Sequence, residues 1–180
     1  LDLDLGNART GAAAAAALET LYFETADIQG LVYVLRARSE WAEDHREQTG
    51  LCLRIAGLEE NSLHDLPAAV ATYRSLLDSE GEAAVAAFEN LERIFQESGQ
   101  ARERVELLRR RAGMVDAVAR NQLRHRKAAI LEVELHDVDE AIATIRPVLD
   151  DTPDDVEALK TLARLYHSKG AAAEHLEILE

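Results

Sequence analysis

The chain has 180 residues, of which 47% are hydrophobic and 30% charged, a composition that excludes general disorder. Its formal net charge of −14 makes non-specific binding to nucleic acid or to an anionic membrane unfavourable. Cys52 is the single cysteine, which excludes an internal disulfide and fits a cytoplasmic location. No apolar run approaches the length of a membrane span. The first residue is not Met, which leaves room for a targeting segment before it.

The dominant pattern is an internal repeat. The stretch 63–74, Leu-His-Asp-Leu-Pro-Ala-Ala-Val-Ala-Thr-Tyr-Arg, returns 72 residues later at 135–146 as Leu-His-Asp-Val-Asp-Glu-Ala-Ile-Ala-Thr-Ile-Arg. Self-similarity at a fixed period indicates stacked units that share one core. Because aromatic residues are scarce at 4% and Ala is abundant, the units are expected to be helical. The sequence therefore predicts an all-α, right-handed α-solenoid of about nine or ten helices.

In chain order, residues 1–39 are predicted to form half of a repeat cell. Residues 1–7 are typical of the end of a preceding helix and its turn. We therefore expect a segment of a longer array, in which uncapped ends would favour self-association. The apolar residues of this half-cell align with those of a later helix pair: Leu18, Leu21 and Tyr22 with Leu91, Ile94 and Phe95, and Val32, Val34 and Leu35 with Val105, Leu107 and Leu108.

Residues 40–113 are predicted to form a four-helix cell. A long helix over about 43–62 is followed by Asp65, a helix N-cap, and by Pro67, which is tolerated in a first helical turn. That second helix runs to about residue 77, and a third helix ends at Gly99, a residue that accepts positive φ. The fourth helix is expected over about 101–112.

Residues 114–180 are predicted to repeat the same order. A long helix over about 116–135 precedes a helix over about 138–149, which Asp137 and Glu140 begin with a capping-box pattern. A third helix begins at about residue 154 and ends at Gly170, and a last helix is expected over 171–180.

The helix pairs, of about 35 to 37 residues, share a pattern of large, small, aromatic and turn positions. These positions are held by Leu162 with Ala163, Tyr166 and Gly170 in one unit, Ala141, Ile145 and Pro153 in another, and Ala69 and Tyr73 in a third. The pairs resemble the tetratricopeptide repeat (TPR) family, in the form of a bacterial-type helical-hairpin array. Glu59 and Leu131 depart from the family pattern, because they stand where an aromatic residue is usual, and Gly81 replaces a terminal proline. The resemblance implies a binding scaffold whose first helices line a concave groove.

No catalytic, metal or cofactor site is predicted. The pairs His64-Asp65 and His136-Asp137 recur at the repeat period, which favours a structural turn over an acid–base dyad. The alternative of an enzyme subunit would place chemistry at a groove containing His125, His167 or His175. The sequence contains neither a metal-binding His-Glu-x-x-His run nor a phosphate-binding glycine loop.

One segment departs from the acidic composition, because residues 102–127 carry nine basic and three acidic side chains. One interpretation is a surface whose cations pair with acidic neighbours in the stack. The other is a basic ridge that binds an acidic peptide. The family resemblance adds Lys160 and Arg164 as groove positions. The candidate partner-binding residues are Arg109, Arg110, Arg111, Arg124, Arg126, Lys127, Lys160 and Arg164.

The predicted function is a non-catalytic scaffold that binds a protein or peptide, with no nucleic-acid or membrane partner. An alternative is a sensory or regulatory repeat segment of a larger signalling protein.

Overall fold

A computed structural model describes residues 8–170, and within them the fold consists of helices without strands. The segments 1–7 and 171–180 lie outside the described residues, and so do the helix predicted over 171–180 and His175. The prediction of an all-α array of helix pairs is confirmed. The described helices are α1 (Ala8–Glu24), α2 (Ile28–Trp41), α3 (His45–Asn61), α4 (Leu66–Ser75), α5 (Glu82–Glu97), α6 (Ala101–Ala112), α7 (Ala117–Val133), α8 (Val138–Asp151) and α9 (Val156–Lys169).

The protein divides into two compact units, Leu1–Leu91 and Glu92–Glu180. In the first unit, α1 packs on α2, α2 on α3, and α3 on α4. In the second unit, α6 packs on α7, α7 on α8, and α8 on α9. Within each run, helices that are consecutive in sequence therefore contact each other, which is the contact pattern of a helical repeat.

The turns inside the helix pairs share one backbone conformation. In the turn after each of α1, α3, α5, α7 and α9, one residue has a φ between 53° and 74°, in the left-handed region. Successive turns lie 34 to 38 residues apart, so the structural repeat is a single helix pair. These turn residues are Ala26, His64, Gly99, His136 and Gly170.

An aspartate follows the left-handed residue in three of these turns and begins the next helix. Asp65 Oδ1 accepts a hydrogen bond of 3.0 Å from the N–H of Ala68, and Asp137 Oδ1 accepts one of 3.1 Å from the N–H of Glu140. Asp27 does the same for α2. The recurring His-Asp pairs therefore lie at turns, where the histidine supplies a left-handed backbone and the aspartate a helix cap.

Most predicted helix bounds agree with the structure within two residues, and α6 agrees at both ends. The sequence alignment of Leu21 with Ile94 predicts that both side chains are buried. This is wrong for Leu21, which is 51% exposed, whereas Ile94 is buried.

Pro147 lies inside α8, which continues past it to Asp151. Since proline has no N–H, the Ala143 carbonyl loses its helical donor at this point.

Each unit has its own apolar core, built from the inward residues of successive helices. In the first unit, Leu31, Leu35 and Ile55 are at most 2% exposed. In the second unit, Leu131, Ala141 and Leu162 are fully buried. Ala69 and Ala141, which match the family's small position, are both fully buried, so neighbouring helices approach closely there.

Candidate functional site

A cleft of about 410 Å³ lies among α6, α7 and α8 in the second unit. We call it the basic cleft. Its volume falls in the range of ligand-binding clefts in proteins. Four of its residues carry charge, three of them basic, and its apolar residues come from all three helices. It is lined by Leu108, Arg109, Ala112, Leu123, Arg124, Lys127, Glu140, Ala143, Thr144 and Pro147.

The helix period places the basic side chains at the cleft. Leu108 and Leu123 are buried and fix the facing sides of α6 and α7. Arg109 follows Leu108 directly and emerges at the edge of the cleft, while Arg124 and Lys127 lie about one turn apart on α7. The cleft therefore combines three cations with an apolar floor to which Leu108 and Leu123 contribute.

Two cleft cations have partners on α8. Lys127 Nζ lies 3.0 Å from Glu140 Oε1, and only 15% of the Lys127 side chain is exposed. Arg124 Nη1 lies 2.9 Å from Asp151 Oδ2 and also donates to the carbonyl oxygen of Pro147 at 3.3 Å. These contacts restrict the side-chain conformations of Lys127 and Arg124.

Arg109 instead pairs with a residue of its own helix. Its Nε donates to Glu106 Oε2 at 2.9 Å, and both side chains are more than 60% exposed. The hydrogen bond from Arg109 lowers the pKa of Glu106 below its usual value. Because water screens exposed ion pairs, this pair is weak and exchangeable.

The remaining predicted binding residues lie outside the cleft. Arg126 pairs with Glu92 of α5, and Arg164 makes a two-point pair with Glu132 of α7, with distances of 2.8 and 2.7 Å. Lys160 is exposed on α9. On α6, Arg110 is exposed and Arg111 half-buried. Three of the eight predicted residues, Arg109, Arg124 and Lys127, are thus brought together, and the ion pairs agree with the interpretation of stacked charge pairing.

Two functional positions, Thr144 in the cleft and Glu59 in a polar network, were not predicted from the sequence. Glu59 on α3 is 1% exposed, pairs with Arg36 of α2, and accepts a hydrogen bond of 2.7 Å from Thr72 Oγ1 of α4. The sequence feature that could have identified Glu59 is the repeat alignment. There Glu59 aligns with Leu131, at a position where the family favours an aromatic residue.

Cys52 lies near this network, on α3. Burial raises the pKa of its thiol, although a hydrogen bond with Ser39 and the charge of Arg36 act in the opposite direction. The thiol is therefore less reactive than an exposed cysteine.

A second cleft in the same unit, of about 390 Å³, contains His125. His125 Nε2 lies 3.3 Å from Asp155 Oδ2. The N–H of Ala158 donates to Asp155 and holds the pKa of that carboxyl below its usual value, against the effect of burial and with further help from His125. Among residues 8–170, no cluster of three or more His, Cys, Asp or Glu is arranged to hold a metal ion.

Comparisons with known proteins give matches among solved structures. No protein-family model matches the sequence. No curated protein matches it either. The chain is similar, at 21% identity and a TM-score of 0.47, to kinesin light chain nearly identical TPR-like repeats from Podosopora anserina, with 92% of this protein and 90% of that one aligned. A point variant of those repeats gives a TM-score of 0.48 at the same identity and coverage.

A tetratricopeptide repeat protein from Parabacteroides merdae is also similar, at 14% identity and a TM-score of 0.47. The match covers 91% of this chain and 63% of that protein. The chain is similar to tetratricopeptide-like repeat proteins. Its repeat architecture follows from its own helices and turns. These matches carry no information about ligands. None of the helices within residues 8–170 combines the length and apolar character needed to cross a membrane.

Proposed function

We propose that this protein is a non-catalytic scaffold that binds an acidic segment of a protein partner in the basic cleft. The observation that supports the proposal is the convergence of Arg109, Arg124 and Lys127 around an apolar floor. The cations of the cleft attract an acidic segment and set its orientation, while the floor buries apolar side chains. The basic cleft would thereby recognise a partner that the acidic remainder of the chain repels.

The repeat organisation of the chain and its location in the cell are part of the same proposal. We propose further that the chain comprises a half-cell, 1–39, and two four-helix cells, 40–113 and 114–180, of a helical array in a cytoplasmic protein. The array would act either by itself or as a regulatory segment of a larger signalling protein. In both cases the partner is a protein or peptide and no cofactor is needed.

The test is affinity capture from native lysate with the wild-type protein and two matched double variants. Arg109→Gln with Lys127→Gln removes two cleft cations. Arg102→Gln with Arg146→Gln removes two exposed cations of the same unit outside the cleft. We expect the cleft variant to lose an acidic partner that the wild type and the control both retain, with equal helicity by circular dichroism.

Retention of every captured partner by the cleft variant would overturn the proposal. Reversal of Arg109, Arg110 and Arg111 to Glu extends the test to the whole end of α6, and the same loss of capture is expected there. For the enzyme alternative, the check is metal analysis of the purified protein, in which stoichiometric zinc or iron would count against a non-catalytic scaffold.

A further inference from the structure

The helices α2, α3 and α4 hold a carboxylate at a position that is apolar in α6, α7 and α8. We call these two sets the first and the second triplet. In the first triplet, the Glu59 carboxylate joins the guanidinium of Arg36 on the first helix to the hydroxyl of Thr72 on the third. The protein therefore contains its own example of how this arrangement of helices binds a carboxylate.

The second triplet keeps both partners of that carboxylate. Arg109 lies 73 residues after Arg36 and Thr144 lies 72 residues after Thr72, and both line the basic cleft. The position of the carboxylate is taken by Leu131, which is fully buried and offers no oxygen atom from its side chain. Leu131 does not line the cleft, whereas the arginine and the threonine do.

We infer that the basic cleft binds the side-chain carboxylate of an Asp or Glu of the partner protein, between Arg109, Lys127 and Thr144. This carboxylate would take the role that Glu59 has in the first triplet. The inference rests on the proposed function and names the group that the cleft recognises. An aspartate or glutamate side chain is the source, rather than a free terminal carboxylate, because the example within this protein is a glutamate side chain.

The charges of the second triplet favour this ligand. Lys127 replaces Ile55 and Arg124 replaces Cys52 at the same repeat positions, so the second triplet gains two cations. Glu140 is the acidic residue of the lining, and Lys127 offsets it at 3.0 Å. A bound carboxylate would therefore meet a net positive lining.

Arg109 is able to change partners without loss of a buried contact. Its present partner, Glu106, is 63% exposed and lies one turn earlier on the same helix. Water can solvate Glu106 once Arg109 turns towards the cleft. The residues Leu108, Leu123 and Pro147 then contact the apolar side chains that flank the acidic residue.

The inference is tested with a short peptide and its matched control. The probe is acetyl-Ala-Leu-Glu-Leu-Ala-amide, and the control replaces its Glu by Gln. A third peptide carries Gln and a free terminal carboxylate. Binding is followed by NMR through the backbone N–H of Thr144 and the Nε–H of Arg109. We expect the Glu peptide to bind at least about tenfold more tightly than either other peptide, since a charge-assisted hydrogen bond is stronger than a neutral one.

Variants of the protein separate a carboxylate site from a merely apolar groove. Leu131→Glu supplies the carboxylate internally, as Glu59 does in the first triplet, and is expected to abolish binding of the Glu peptide. Arg109→Gln is expected to weaken that binding about tenfold, whereas Arg102→Gln on the same helix leaves it unchanged. Because Arg109 and Arg102 are both exposed, these two variants keep the test decisive even where Leu131→Glu fails to fold.

Equal binding of the Glu and Gln peptides, binding of the free-acid peptide alone, or no binding of any peptide to the wild-type protein would each overturn the inference. Partner capture that still depends on Arg109 and Lys127 would, in that case, leave the proposed function standing. If neither selective binding of the Glu peptide nor partner capture dependent on Arg109 and Lys127 is observed, both proposals are wrong.

Discussion

The first and second triplets have the same helix order and the same aspartate-capped turn, yet they place their polar groups differently. In the first triplet, Glu59 connects three helices by an ion pair and a hydrogen bond. In the second triplet, Leu131 completes an apolar core and the neighbouring cations line an open cleft. Three differences at equivalent positions, Leu131 for Glu59, Lys127 for Ile55 and Arg124 for Cys52, thus accompany the change from a self-contained polar network to an open cleft.

Equivalent positions of the first and second triplets should have equivalent packing. The alanines of α4 and α8 provide the strongest test of this. Ala69 and Ala141 are both fully buried. We expect Ala69→Leu and Ala141→Leu each to destabilise the protein by about 1–3 kcal/mol, because a close helix contact cannot accommodate a larger side chain. Urea unfolding followed by circular dichroism measures this. A neutral result at only one position would show that the two triplets pack differently.

The polar network of the first triplet should contribute a smaller amount. Glu59→Gln keeps the shape of the side chain but removes the charge that holds Arg36. We expect a loss of about 1.5 kcal/mol in unfolding free energy, the lower end of the range for a hydrogen bond to a charged group, because the amide can still accept from Thr72. Leu131→Gln in the second triplet is the counterpart, and it should cost at least as much, because it buries an amide in an apolar core. A harmless Leu131→Gln substitution would contradict the apolar assignment.

The aspartate caps should contribute equally in the two triplets. Asp65→Ala and Asp137→Ala each remove one side-chain hydrogen bond to the first turn of a helix. Each is expected to lower the unfolding free energy by about 1 kcal/mol. The measurement is the shift of the urea midpoint, with Asp139→Ala, an exposed first-turn position of α8, as the control. Clearly unequal losses would mean that the turns are not equivalent.

The smallest expected effect concerns pH and lies in α9. The hydrogen bond from Ala158 keeps the pKa of Asp155 in the folded protein below the ordinary value of 3.8. The resulting stabilisation is complete above that value and is lost as the pH falls through the lower, folded-state pKa. Asp155→Asn should therefore flatten the decline of unfolding free energy below about pH 4.

Asp154→Asn, in the preceding turn, is the matched control for this pH dependence. It should leave the acid branch of the stability profile unchanged. An equal change in both variants would mean that the cap of α9 does not cause the dependence.

Much of the fold could be predicted because its causes are local. The repeated His-Asp turn, the glycines at residues 99 and 170, and the apolar period along each helix depend on residues close in sequence. Leu21 shows the limit of that reasoning, because its position in the repeat predicts burial but half of its surface is exposed. The helix predicted over 138–149 already includes Pro147, and α8 continues past that residue to Asp151.

The candidate site could be predicted only in part. The cluster of basic residues was evident in the sequence, but the choice of Arg109, Arg124 and Lys127 among eight candidates depended on contacts between helices. Arg126 and Arg164 look similar in sequence, yet each pairs with a glutamate of another helix more than 30 residues earlier, and no local pattern encodes such a pair.

The class of this protein, its helix pairs and the turns that separate them follow from local sequence, because capping, backbone conformation and hydrophobic period act within a few residues. The tertiary structure decided which charges pair, which oxygen is buried beside Thr72, and where a cleft opens beside Thr144. These outcomes depend on side chains from three helices meeting at one place, and their separation in sequence conceals them until the helices pack.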